Sequence, residues 1–157
     1  MDTFFATKAA GKSTRGHKCC QLFVTDKGFT YVVPMRSKGD VLLAVKQFAK
    51  AIGAPEAIIC DAAGENQSKE LRQFCSEIGT TLRWIEEGTP WANKAELYIG
   101  IIKEAVCKDM KESCSPLVLW DYCIERRVRI INKVDKDRFD LHGSNAHTTL
   151  TGEEADI

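Results

Sequence analysis

The four residues Ala57-Ile58-Ile59-Cys60 most restrict what this chain can fold into. They form an apolar run too short for a helix, set between two longer stretches with apolar residues at helical spacing. Leu42, Val45, Ala49 and Ile52 make the stripe before it, closed by Gly53. Leu71, Phe74, Cys75 and Ile78 make the stripe after it, closed by Gly79. A strand entered from one helix and left through another is the repeating unit of a parallel sheet covered by helices. Asp61 follows the run directly, so a carboxylate is expected at the tip of that strand.

The flanking stretches extend the pattern. Asp2 to Ala6 reads as the end of a strand, and the Gly-, Ser- and Lys-rich segment from Lys8 to Lys18 as a loop. Cys19 to Thr25 and Phe29 to Val33 read as a hairpin turning at Asp26-Lys27-Gly28 and ended by Pro34. Ser37, with Asp40 three positions on, has the spacing of a capping box at a helix start. Thr80 to Ile85 is a fifth strand. The stretch Thr89 to Lys103 opens another helix, with Glu96 just inside it and Leu97, Ile101 and Ala105 expected on its inward face. Ser115-Pro116 is a hydroxyl cap followed by proline, and Leu117, Trp120, Ile124, Val128 and Ile131 continue as one long stripe. The predicted class is α/β: one mixed sheet of five strands flanked by helices.

Bulk composition narrows the function. At 157 residues the chain suits a single domain with a real apolar core. Acidic and basic residues balance at 22 each, which excludes nucleic-acid binding through bulk charge but leaves room for a local basic track. Arg126, Arg127 and Arg129 read as a solvated stripe on the long helix, with a DNA track or a dimer edge as the sharper alternatives. The seven cysteines are odd in number, fall partly in apolar runs and make no C-x-x-C, as expected of reduced thiols in an intracellular protein. His17 stands too close to Cys19 and Cys20 for ordinary zinc spacing. No apolar stretch is long enough to suggest a membrane span.

Three acids fall where a sheet and a helix can bring them together. Asp2 is on the first strand, Asp61 at the tip of the fourth, and Glu96 in the first turn of a helix. Clustered carboxylates repel one another, and divalent ions relieve that repulsion. Their hard oxygens suit Mg²⁺ or Mn²⁺, which in paired sites sit roughly 3.5–4 Å apart and clamp both oxygens of an in-line phosphoryl displacement. Lys103 shares a helix face with Glu96 and Gly100, a position suited to a DNA phosphate. Each residue also has a plainer reading. Glu96 has the spacing to close a capping box with Asn93, worth about 1 kcal/mol. Asp61-Ala62-Ala63-Gly64 alone is a turn, and Lys103 alone a solvated lysine.

Read together, DTFFA, STRGHKCCQLFVTDKGFTYVVPMRSKGD, IICDAAGENQSKELRQFCSEIG and TPWANKAELYIGIIK resemble the integrase catalytic core of copia-type LTR retrotransposons, with retroviral integrases as more distant relatives. The resemblance spans about Asp2 to Lys133. It implies a ribonuclease-H-like fold and metal-dependent 3′-end processing and strand transfer of DNA. It implies Asp2, Asp61 and Glu96 as catalytic, metal-binding carboxylates, Lys103 and Asn93 as DNA-contacting residues, and Mg²⁺ or Mn²⁺ as cofactor. Partners implied are element-end and target DNA and further copies of the chain, in the nucleus or in cytoplasmic retrotransposon particles. Residues 1–134 are then the core, its first strand truncated, within a larger polyprotein, and residues 135–157 a loosely structured tail. Ala62-Ala63 and Leu97 depart from the family pattern of Asn-Gly after the second acid and Arg or Ser after the glutamate. A catalytically silent derivative that binds nucleic acid is the alternative.

Overall fold

Alternation along β2 (Cys19–Val24) points Cys19 and Phe23 to one side and Cys20 and Leu22 to the other, and all four are buried. A strand buried on both faces must lie inside a layered fold. In the computed structural model, which describes residues 1–61, 68–85, 94–134 and 143–154, β2 is the middle of an antiparallel trio. β1 (Asp2–Phe5) pairs with it from Asp2 opposite Leu22 to Phe5 opposite Cys19. β3 (Thr30–Met35) pairs on its other side, and the Thr25–Phe29 turn closes with Gly28 at φ 79°. Pro34 does not end β3. It sits opposite Cys20 on an edge strand, where a residue lacking an N–H is tolerated.

α1 (Val41–Ile52) follows a 3-10 turn over Lys38–Asp40, where the Asp40 carboxylate accepts from the amides of Arg36 and Ser37, 3.0 Å each. β4 (Ala57–Cys60) leads through Asp61 towards α2 (Lys69–Glu77), whose Ser68 cap accepts from Leu71 N–H at 3.2 Å. β5 (Thr81–Trp84) lies parallel to β4, as the strand–helix–strand rhythm predicts.

The five strands do not form one hydrogen-bonded sheet, contrary to expectation. β1, β2 and β3 make one ladder and β4 and β5 another. The physical reason is the shortness of β1. It meets β4 through the Met1 amine, which donates to the Ile59 carbonyl at 2.5 Å. Beyond that point β2 and β4 face each other across a cavity of about 580 Å³ lined by Met1, Phe23, Ile58 and Ile59 among others. Side-chain packing nevertheless spans the seam. Phe23 and Val33 from one ladder, Ile58 and Cys60 from the other, and Val45, Phe48 and Leu71 from the helices share one core.

The opposite face carries α3 (Lys94–Glu112) and α4 (Trp120–Lys133) over Phe4, Cys20 and Leu22. The buried stripe of α3 is Ala95, Ile99, Ile102, Val106 and Met110, not the Leu97–Ile101–Ala105 stripe expected. Leu97 and Ile101 are 66% and 47% exposed. Periodicity alone could not decide between two apolar stripes on one helix. Pro116 begins a 3-10 turn over Leu117–Leu119 before α4, and the Ser115 hydroxyl pairs with that of Ser113 at 2.7 Å instead of capping. In the segment expected as a tail, α5 (Ala146–Thr151) is capped by Asn145 and fully buries Ala146.

A buried charge fastens the β1–β2 loop to α4. Asp121 is fully buried and receives Arg15 Nε at 2.8 Å, while His17 Nδ1 stands 2.7 Å from the same oxygen. Arg15 also reaches Glu125 at 2.7 Å. Burial pushes the Asp121 carboxyl up, but hydrogen bonds from His17, Arg15 and Ser13 outweigh it and hold the group below its usual value. Cys20 and Cys60 are buried and free, and burial raises both thiols, Cys60 to about 11, so they are inert at neutral pH. Cys107 and Cys114, by contrast, are exposed.

Candidate active site

Each of the three acids owes its position to a different element. Period-two alternation puts Asp2 on the same face of β1 as Phe4, which packs in the α3–α4 core. The bond from Met1 to Ile59 holds the start of β1 beside β4, two residues before Asp61. Glu96 lies in the first turn of α3, just to one side of the buried stripe that begins at Ala95. Its side chain is exposed, as is that of Asp61, whereas Asp2 is half-buried.

The carboxylates sense one another. The Asp2 carboxyl is held above its ordinary value, first by burial and then by the negative charges of Asp61 and Glu96. A bond of 2.7 Å from the Thr3 amide to Asp2 Oδ1 works in the opposite direction. Like charges at this range are the situation a divalent cation relieves, and all three groups offer hard oxygen ligands. Among the described residues, no three His, Cys, Asp or Glu side chains already stand close enough to form a metal cage. Three carboxylates offer the hard oxygen donors that Mg²⁺ or Mn²⁺ prefers, Asp2 half-buried and Asp61 and Glu96 exposed.

Lys103 lies on the Glu96 side of α3, two turns on. Its ammonium hangs 5.5 Å from the centre of the Phe4 ring, above the strand that carries Asp2. Between them Gly100 leaves open space, since a Cβ built there meets nothing within 4 Å. Asn93, and with it the capping-box reading of Glu96, lies outside the described residues. The next residue, Lys94, donates to the Asp26 carbonyl at 3.1 Å and ties the start of α3 to the hairpin turn.

Sequence reasoning missed the Arg15–His17–Asp121 cluster. The only signal was a lone acid, Asp121, one position after Trp120 in a helix whose apolar stripe was otherwise plain. Its partners lie more than 100 positions away in a loop.

No protein-family model matches this sequence, and no match was found among curated proteins. In three dimensions the chain is similar to the HTLV-2 integrase catalytic core domain solved in complex with magnesium. For the trimeric form of that domain the TM-score is 0.72 at 20% identity, covering 95% of this chain and 92% of the other. For the dimeric form the TM-score is 0.65 at 20% identity, covering 82% and 81%. A simian T-cell lymphotropic virus intasome in complex with a PP2A regulatory subunit matches with TM-score 0.69 at 13% identity, covering 88% of this chain and 51% of that one. The α/β fold is thus that of an integrase catalytic core. Among the described residues no helix is long and apolar enough to cross a membrane.

Proposed function

We propose that this chain is the catalytic core of an integrase, a polynucleotidyl transferase that cuts and joins DNA, with Asp2, Asp61 and Glu96 as its metal-holding carboxylates. The observation that carries this reading is the placement of the three acids on β1, directly after β4 and in the first turn of α3, where Asp61 and Glu96 both raise the Asp2 carboxyl. It occurs on a fold shared with an integrase core solved in complex with magnesium.

In 3′-end processing, water attacks a phosphodiester near the element end, the 3′-oxygen leaves, and a free 3′-hydroxyl results. In strand transfer that hydroxyl attacks a target phosphodiester and displaces the target's own 3′-oxygen. Asp2, Asp61 and Glu96 would hold the divalent ions, which would supply Lewis-acid activation of the attacking oxygen and neutralisation of the leaving one. Asp2 would contribute from β1, Asp61 from the end of β4 and Glu96 from the first turn of α3. Lys103 steadies a phosphate two turns along α3 from Glu96, across the space left at Gly100, and the family resemblance adds Asn93 as a further DNA contact. The narrower assignment to copia-type retrotransposon integrases rests on the spaced Asp, Asp, Glu set and on Asn-Lys-Ala-Glu at the third acid. Assembly as a dimer or higher oligomer belongs to the same proposal.

Oligonucleotide assays of processing and strand transfer with Mn²⁺ test it. Metal-dependent activity in the wild type and its loss in Glu96→Gln are expected, and equal activity in both overturns the reading. The second reading is a catalytically silent core that only binds nucleic acid. The departures at Ala62-Ala63 and Leu97 from the pattern of the resembling family motivate it. A melting temperature that Mn²⁺ leaves unchanged supports this second reading.

A further inference from the structure

Asp2 and Asp61 belong to different ladders. Asp2 is on β1 of the antiparallel one, and Asp61 follows β4 of the parallel one. Glu96 stands in the first turn of α3, so where it sits depends on what that turn is fastened to. The residues of α3 that pack with Phe4, Cys20 and Leu22 begin at Tyr98 and Ile99, two and three positions after Glu96. Ahead of them, Lys94 and the buried Ala95 border the cavity at the seam. The first amides of a helix have no partner within it, so a turn ahead of the core contacts opens readily unless something outside the helix holds it.

Lys94, the first residue of α3, reaches out of this turn. Its side chain donates to the Asp26 carbonyl at 3.1 Å, and both residues line the seam cavity. A cationic donor makes this a charge-assisted bond. The acceptor sits in a turn that is itself held. The Thr25 amide donates to the Phe29 carbonyl at 2.9 Å, the Gly28 amide to the Thr25 carbonyl at 3.0 Å, and the Phe29 amide to Thr25 Oγ1 at 3.1 Å. From that turn β2 runs back to Leu22, which is paired opposite Asp2. A hydrogen-bonded path therefore leads from Asp2 through β2 and the turn to Lys94, two residues before Glu96. We infer that Lys94 is a positioning residue: by tying the start of α3 to the β2–β3 turn, it holds Glu96 to the ladder that carries Asp2. That Glu96 serves a metal rests on the proposed function. The tie rests on these hydrogen bonds alone.

Amide exchange, Mn²⁺ titration and steady-state kinetics on the full chain test the inference. Lys94→Met keeps the aliphatic stem and removes the donor, and Lys94→Arg keeps a donor. In Lys94→Met the amides of Tyr98 and Ile99 are expected to exchange about fivefold faster, the equivalent of one hydrogen bond of about 1 kcal/mol. Those of Val106 and Met110, deeper in the helix, are expected to exchange as in the wild type. Mn²⁺ affinity should fall by a similar factor, and kcat for strand transfer should fall while KM for DNA stays the same. Lys94→Arg should restore all three readouts. Unchanged exchange at Tyr98 and Ile99 overturns the tie whether or not the chain binds metal. Faster exchange with unchanged Mn²⁺ affinity and kcat overturns the positioning of Glu96. A raised KM at unchanged kcat overturns it too, and makes Lys94 a DNA contact. A wild type that binds no Mn²⁺ and matches Glu96→Gln defeats the proposed function instead, and exchange at Tyr98 and Ile99 still decides the tie.

Discussion

Asn132, near the end of α4, pairs with Thr30 as a neighbouring strand would. Its Oδ1 accepts from the Thr30 amide at 2.8 Å and its Nδ2 donates to the Thr30 carbonyl at 2.7 Å. The Thr30 hydroxyl adds a third bond to Oδ1, 2.7 Å. Thr30 opens the edge strand β3, so the side chain supplies a ladder partner that no strand provides. Asn132→Leu leaves the buried amide and carbonyl of Thr30 unpaired and should cost about 2–3 kcal/mol. Urea unfolding measures it, and Thr30→Val, which keeps both backbone bonds, should cost about 1 kcal/mol.

The loop carrying Arg15 and His17 depends on one ionised group. The Asp121 carboxyl is held below its ordinary value, so its ionised form favours the folded state. That contribution is complete above the ordinary aspartate value of about 4 and fades as pH falls from there through the lowered value. Wild-type stability should therefore fall in that acid window. Asp121→Asn should lower stability at pH 7 by about 3 kcal/mol and flatten this part of the acid limb. Thermal melts between neutral and acid pH distinguish the two chains.

Metal binding predicts different effects of one substitution with and without ions. Asp61→Asn removes a negative charge that opposes ionised Asp2 but favours the Met1 ammonium, so without divalent metal its melting temperature should stay near that of the wild type. With Mn²⁺ at about 100 times the dissociation constant, the wild type should gain about 2.7 kcal/mol. Asp61→Asn and Glu96→Gln should each lose most of that gain, and Lys103→Ala should keep it. A scanning calorimeter reads all three.

The seam between the ladders should be the first region to open. β4 and β5 form a two-stranded pair joined to β1 at Met1, whereas β2 is paired on both sides. Amides of Ile58 to Cys60 should exchange with deuterium faster than those of Cys20 to Leu22, since local opening of a small pair costs less than global unfolding. Equal protection of both sets would mean that the shared core alone makes the two ladders one cooperative unit.

Much of this protein could be read from local pattern. The hairpin, the αβα unit around Ile58 and Ile59, and the stripes of α2 and α4 follow from side-chain period, glycine stops and turn residues, because those signals act within a few residues; on α1 the buried set Val41, Ala44, Val45 and Phe48 shares only Val45 with the expected stripe. The order of the three acids along the chain was legible for the same reason: each sits at an element end that its neighbours define. Local pattern could not choose between the Ala95–Ile99–Ile102 and Leu97–Ile101 faces of α3. It could not foresee that a four-residue β1 would leave the sheet in two ladders, or pair Asp121 with Arg15 and Asn132 with Thr30. These are decided by contacts between residues far apart in the chain. Hydrophobic spacing shows that a face will be buried, and only the docked partner determines which one, and which charge it brings.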